Sequence, residues 1–242
     1  LRIKREQLHS QKIADKAEVI WGETTYAGKQ RVKRRSRMLI TQCGIYSGIR
    51  VLELGCGTGT YTNELIHTRA DIVAIDISEP LIMQAVNKLR HYKYVNFVGC
   101  QVERLPFKDA SFDAVIGNAI LHHLELESAL KEINRVLTNN GRFAFTEPNM
   151  INPQNILVKN IKFLSKIAGE SPDETAFVRW NIGRYIKNAG FDDVMVIPFD
   201  FLHPICPKVF VKYIDRIGRI IECIPIIKEI AGSLLITGKK KR

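Results

Sequence analysis

No stretch of the 242 residues approaches the roughly 20 consecutive apolar residues that a membrane-spanning helix needs. The most apolar late segment, IGRIIECIPIIKEIAG at 217–232, is interrupted by Arg219, Glu222 and Lys228. Cysteine is scarce and scattered: Cys43, Cys56, Cys100, Cys206 and Cys223 are odd in number, widely spaced, and form no C-x-x-C pair. That excludes a disulfide framework and a zinc site from the expectation, so no metal is predicted, and a reducing cytoplasmic setting fits. The opening LRIKREQLHS lacks the apolar core of a secretory signal, and none is expected. Internal repeats and low-complexity tracts are absent. Net charge is missing from the middle as well: residues 43–238 hold 21 basic and 21 acidic side chains.

The formal charge of +11 therefore sits at the two ends. Residues 1–42 carry 11 Lys/Arg against 4 Asp/Glu, and the chain closes on KKKR at 239–242. Basic ends of this kind suit nucleic acid, an anionic membrane surface or an anionic substrate.

Apolar periodicity predicts a helix over 6–20 and a very basic one over 29–43. Strands and helices then alternate. Strands are predicted at 50–55, 71–78, 95–100, 112–118 and 141–148, with helices at about 61–68, 79–92 and 127–138. Pro80 suits a first helical turn, and Gly141 is placed to end the helix before it. Five such repeats in about 100 residues imply a parallel sheet covered on both faces. Beyond Pro148, residues 149–190 read as helical and polar, 191–202 and 232–239 as strands, with an Ile- and Lys-rich helical insertion between those two.

The first strand runs into RVLELGCGTGTYTNEL at 50–65, with glycines at 55, 57 and 59. Glycine-rich turns at such a place cradle nucleotides, outside the carboxyl ends of the strands. The dinucleotide fingerprint G-x-G-x-x-G/A is met in its first half, but Thr60 occupies the third position, which leans away from NAD.

VLELGCGTG resembles the first motif of Rossmann-like (class I) methyltransferases that use S-adenosylmethionine, in particular the broad group that includes quinone-biosynthesis enzymes. The resemblance covers about residues 50–150, with several motifs in order. It implies an α/β fold: a seven-stranded, mostly parallel, doubly wound sheet whose last strand is antiparallel, with N-terminal helices and a helical insertion before that strand. It also implies a single methyltransferase domain over 1–242. Residues 1–42 would form a basic helical cap, 43–148 the cofactor-binding core, 149–231 the substrate or lid region with the sixth strand, and 232–242 the last strand and basic tail.

Site residues follow from the same resemblance. Gly55 and Gly57 admit close backbone approach to the cofactor, Cys56 contributes its backbone with an inert thiol, and Glu53 is expected to hold the cofactor's ammonium. Asp76 ends the second strand, where a carboxylate can accept from both ribose hydroxyls, and Ile77 lies against adenine. GCQVERLPF at 99–107 resembles the family's third-strand motif with Gln101 in place of the usual Asp; its carbonyl can still accept from the adenine amine. The backbone of Val102 faces the ring edge. FDAVIGNAILHHL at 112–124 resembles the fourth motif and places Asn118 beside the sulfonium. NAIL there differs from the Asp/Asn-Pro-Pro-aromatic of adenine-N6 enzymes, and the Pro-Cys of cytosine-C5 enzymes is absent.

A hydroxyl acceptor needs a base. His122, His123 and Glu147 are the candidates, and because adjacent positions point differently at most one histidine is expected to act. Lys29, Arg31 or Arg34 of the basic helix could pair with the cofactor's carboxylate. Trp21 and Tyr26 are candidate lid aromatics, with core packing favoured for Trp21. The function expected is methyl transfer to a small-molecule, amphipathic acceptor. The alternatives are a methyltransferase acting on RNA or protein, disfavoured because no recognisable RNA-binding module is appended, and a non-catalytic cofactor-binding scaffold. Residues 202–231 and the basic ends are candidates for peripheral membrane contact. The residues carry no signal for oligomeric state.

Overall fold

The computed structural model describes residues 2–160 and 177–241. Seven strands form one sheet: β1 (Arg50–Leu54), β2 (Asp71–Asp76), β3 (Val95–Gly99), β4 (Phe112–Asn118), β5 (Leu137–Pro148), β6 (Phe191–Phe199) and β7 (Ser233–Lys240). Their order is β3-β2-β1-β4-β5-β7-β6, and β7 runs antiparallel to both neighbours. The expected seven-stranded, mostly parallel architecture is thus present. The order reverses between β1 and β4, which opens the crevice where doubly wound sheets bind ligands.

The strands are apolar on both faces because helices cover both. Leu52, Leu54, Val73, Ile75, Val115 and Phe145 face one layer. Helices α6 (Leu126–Val136) and α8 (Arg179–Asn188) pack there through Ile133, Ile182 and Ile186. Val51, Ile72, Ala74, Ile116 and Ala144 face the other. That layer holds α3 (Tyr26–Cys43) and α4 (Thr60–Leu65), through Leu39, Cys43 and Leu65. The continuous apolar runs of buried parallel strands have this origin.

Where the periodicity was interrupted, the elements differ from expectation. The predicted helix over 6–20 is α1 (Arg2–Ile13), a tight turn at Ala14–Lys16, and α2 (Ala17–Ile20). Helix α3 begins earlier than its apolar pattern, because Thr25 accepts from Gly28 N at 2.9 Å as its N-cap. It ends at Gly44, whose φ of 62° suits a glycine. Gly141 does not terminate α6. The helix stops at Val136 because Leu137, fully buried, already pairs with Phe112 in the sheet, and Asn140 takes the left-handed turn at φ 64°. Helix α5 (Glu79–Leu89) carries Pro80 in its first turn, as predicted.

After β5 come α7 (Pro153–Asn160) and α8; the rest of the predicted polar helical stretch, residues 161–176, lies outside the described residues. The insertion between β6 and β7 is α9 (Lys208–Ile221). Lys239 and Lys240 of the basic end belong to β7; Lys239 pairs with Asp193 at 2.6 Å and Lys240 donates to the Leu137 carbonyl at 2.8 Å. Among the described residues, no helix is long and apolar enough to cross a membrane.

Ile116, fully buried in the central β4, and Ile217, 55% exposed on α9, give opposite expectations. Ile116→Ala is expected to cost about 2–5 kcal/mol of unfolding free energy in urea titrations. Ile217→Ala should stay within about 0.5 kcal/mol of the parent.

Candidate functional site

A cavity of about 460 Å³ lies at the carboxyl ends of β1, β2 and β4, beneath α1 and the start of α3. Its floor is the turn after β1. Gly55, Gly57 and Gly59 all adopt left-handed backbone, with φ of 67°, 52° and 79°. A Cβ on Gly55 would lie 2.6 Å from Ile120 Cδ1, and one on Gly57 3.1 Å from the Trp21 ring. Strain and space both demand glycine at these two positions.

Asp76 holds this turn. Its Oδ2 accepts from Gly57 N at 2.9 Å, and its Oδ1 from Ser78 N at 2.8 Å. Burial pushes its carboxyl up, and the backbone donors oppose that. A carboxylate offers about four lone-pair directions. The backbone N–H groups of Ser78, Gly57 and Ile77 all face that of Asp76, and the acceptor capacity they leave lies at the cavity wall. Ile77, Cys56 and Val102 also line the cavity. Burial raises the Cys56 thiol well above its ordinary range, which makes it inert.

Two expected contacts are placed elsewhere. Gln101 is exposed and stands outside the cavity wall, because the tight turn Val102–Arg104 begins just after it and buries Val102 instead. Glu53 stands behind the glycine turn rather than on the cavity. It lies on the Val51 side of β1, towards α4, and its Oε2 accepts from the Thr62 hydroxyl at 2.7 Å. Burial pushes its carboxyl up to about 8.

The fourth-strand side is built from paired groups. Asn118 Oδ1 accepts from Thr146 Oγ1 at 2.6 Å and from Arg35 Nη1 at 3.2 Å, so its amide is fixed at the wall. Glu147 is the penultimate residue of β5 and is 1% exposed. Its Oε1 accepts from Ile120 N and Leu121 N at 3.0 and 2.8 Å, and its Oε2 lies 2.6 Å from His122 Nδ1. The carboxylate thus caps the Leu121–His123 turn and orients the imidazole. The two histidines do not diverge. A tight turn brings their ring centroids to 4.1 Å, and both line the cavity. His123 Nδ1 lies 3.2 Å from Glu6 Oε2, which ties α1 to the site.

Of the cationic candidates on α3, Arg31 lines the cavity, Lys29 is exposed, and Arg34 turns away to pair with Glu222. Arg35, which the sequence did not single out, reaches the wall. Arg31 Nε and Arg35 Nη2 both donate to Asp200 Oδ2, at 2.8 and 3.0 Å, and Arg35 also donates to Ser233 Oγ at 2.6 Å. Burial opposes ionisation of Asp200, but the two guanidinium groups outweigh it and hold its carboxyl below the usual value. Glu23 also lines the cavity and interacts with Arg35; burial pushes its carboxyl up to about 7. The i, i+4 spacing of Arg31 and Arg35 was the available signal; a partner 165 residues away was not readable. Trp21 is 38% exposed and covers the glycine turn rather than filling a core. Tyr26 stacks under the Lys208 ammonium, away from the cavity.

Residues 52–145 match the family described as "Methyltransferase domain". The chain is 34% identical to the malonyl-[acyl-carrier protein] O-methyltransferase of Legionella pneumophila over 100 residues, 40% of this chain and 35% of that protein. It is 32% identical to the ubiquinone/menaquinone biosynthesis C-methyltransferase UbiE of Hahella chejuensis over 118 residues, 46% of this chain and 47% of that protein. The matches thus span about a third to a half of these relatives' own length. Among solved structures, the Burkholderia thailandensis 1,6-didemethyltoxoflavin-N1-methyltransferase, with its substrate and S-adenosylhomocysteine bound, gives a TM-score of 0.65. The likeness covers 99% of this chain and 88% of that one at 18% identity, and it shows the fold.

Glu53 generates a stability prediction. Its folded value near 8, against 4.5 unperturbed, favours the fold fully below about 4.5, and that stabilisation is lost as pH rises through 8. Glu53→Gln keeps an acceptor for Thr62 and does not titrate. Relative to the variant, the parent should lose on the order of a few kcal/mol between pH 5 and 9 in urea unfolding. Parallel pH profiles for the two proteins would contradict this.

Proposed function

We propose, from the premise that the chain carries a Rossmann-like, S-adenosylmethionine-dependent methyltransferase domain, that it methylates an amphipathic small molecule held between the glycine turn and α1. The observation that carries this reading is Asp76: a carboxylate at the tip of β2, clamped by Gly57 N and Ser78 N, that lines the cavity beside the glycine turn. The fit to the cofactor rests on three further features. The turn has no room for side chains at Gly55 and Gly57. The cavity volume lies in the range of small-molecule sites. Arg31 and Arg35 bring guanidinium groups to the wall, donors of the kind that suit a carboxylate.

The cofactor would supply a sulfonium methyl open to in-line displacement. The chain's own residues bind, orient and exclude water. Gly55, Gly57 and Cys56 would offer backbone to the cofactor, Asp76 the diol acceptor, and Ile77 and Val102 the apolar wall. Glu53 would act from behind, holding α4 to β1 through Thr62. Asn118, fixed by Thr146, would face the reacting end. Glu147 Oε2, 2.6 Å from His122 Nδ1, would orient the imidazole at the cavity wall. His122 would be the base for an acceptor that must lose a proton, and His123 lies against Glu6 of α1. Ile3, Ile13 and Ile20 give the acceptor side of the wall its apolar character, which supports an amphipathic substrate.

Calorimetry with S-adenosylmethionine tests the carrying observation. Asp76→Asn loses one carboxylate oxygen and the charge, and is expected to weaken binding at least tenfold, as a charge-assisted pair would. Unchanged affinity would remove the basis of the reading. His122→Asn should leave that affinity within about twofold but slow transfer of labelled methyl from the cofactor into the small-molecule pool of a cell extract by roughly 100-fold. Binding with no label in any pool would favour a scaffold role.

A further inference from the structure

Helix α9 is amphipathic in the wrong sense for packing. Its inward side is Val211, Asp215, Gly218 and Ile221, followed by Glu222 at its C-terminal cap. Only two of these, Val211 and Gly218, are fully buried, and Glu222 meets the body as an ion pair with Arg34. Most of its large apolar side chains are exposed. Val209, Phe210, Tyr213, Ile217 and Ile220, with Ile226 just beyond the helix, are between 55% and 85% exposed. Spaced at i, i+3, i+4 and i+7, they make one outward stripe. A second stripe runs beside it: Lys208, Lys212, Arg216 and Arg219.

The basic stripe borders a groove of about 470 Å³ between α9 and α3, to which α3 adds Lys33, Arg34 and Arg37. Arg34 and Arg219 are paired with Glu222 and Asp215. Lys33, Arg37, Lys212 and Arg216 have no acidic partner among the described residues. An exposed apolar stripe flanked by uncompensated cations matches an interface with acyl chains below and phosphates at its rim. A second copy of the chain fits less well, because an isologous contact would set each basic stripe near its own image. The basic ends also separate: Lys239 and Lys240 pair with Asp193 and the Leu137 carbonyl at the opposite end of the sheet from the site.

We propose that the apolar face of α9, with the cations of the α3–α9 groove, docks the protein onto an anionic lipid surface. Its footing is independent of the methyl-transfer reading. Where both hold, docking presents the α9 side of the protein, and with it the segment His203–Pro204 beside the cavity, to a lipid-borne amphipathic acceptor.

Vesicle flotation of the full chain tests it, with phosphatidylcholine alone and with added phosphatidylglycerol. Binding is expected to the anionic vesicles, to weaken steeply as salt rises from about 0.1 M to about 1 M, and to be nearly absent on neutral ones. Ile217→Glu with Ile220→Glu should lower partitioning at least tenfold, and Lys212→Gln with Arg216→Gln roughly fivefold per cation removed. None of these side chains lines the cavity, so both variants should keep the parent's affinity for S-adenosylmethionine in calorimetry. If the parent does not bind that compound, a cooperative urea transition serves as the check on folding instead. No partition onto anionic vesicles, equal partition onto neutral ones, or partition unaffected by the glutamates would each overturn the proposal. So would a stable dimer in ultracentrifugation that those glutamates dissociate.

Discussion

The pair of hydrogen bonds from Gly57 N and Ser78 N to the Asp76 carboxylate is the constraint on which the site depends. The turn after β1 takes left-handed backbone at three glycines, which adopt it freely, so its shape is left to hydrogen bonds such as that of Gly59 N to the Cys56 carbonyl at 2.9 Å. Asp76 anchors it from the next strand. It satisfies two buried donors that would otherwise cost about 1–3 kcal/mol each. The carboxylate therefore serves the fold before it can serve a ligand. A carboxylate has more acceptor capacity than two such bonds use, so the two roles can share one side chain.

A second cluster does for the cap what Asp76 does for the floor. Asp200 gathers Arg31 and Arg35 of α3, Arg35 reaches on to Asn118 and Ser233, and Glu222 accepts from Asp200 N. Strands β4, β6 and β7 and helices α3 and α9 meet in this network. Truncating one member would leave the others buried and unpaired, so its members are more strongly coupled than any single distance implies. His123 and Glu6 add a smaller tie from α1. The cavity is thus closed by charges that find each other only in the folded chain.

That difference explains what was legible in the sequence. The glycine turn, the strand-ending Asp76 and the Asn118–His122 segment are local: neighbours in sequence are neighbours in the site, and strand alternation alone orders them. Residues 50–148 could be read for that reason. Glu53 shows the limit of such reading, since strand parity sends it behind the turn to Thr62, and Gln101 shows another, since one tight turn exchanges it for Val102. Arg35 with Asp200, and Glu147 with His122, required contacts across 165 and 25 residues. Periodicity gave α3 its basic face but not which of its arginines points inward. Helix termination at Val136 was hidden in the same way, because the pairing of Leu137 with Phe112 outcompetes the local stop signal at Gly141.

Helix α9 inverts the usual economy of a surface helix. Burial of its isoleucines against the sheet would contribute roughly 1.5–3 kcal/mol per side chain, yet Asp215, Gly218 and Glu222 take the inward positions. A Cβ at Gly218 would sit 3.2 Å from Phe201 Cβ, so the backbone approaches closely there and leaves no room for a larger anchor. The helix is instead fastened by Arg34 and Glu222, and Glu222 is also the acceptor for Asp200 N. Its attachment and the cavity's cationic wall therefore share one pair of carboxylates. Contiguous apolar patches penalise an exposed surface through association, a cost that the proposed docking onto lipid would offset. The same ion pairs that free the stripe to face outward connect it, in two steps, to Arg35 and Asn118 at the site.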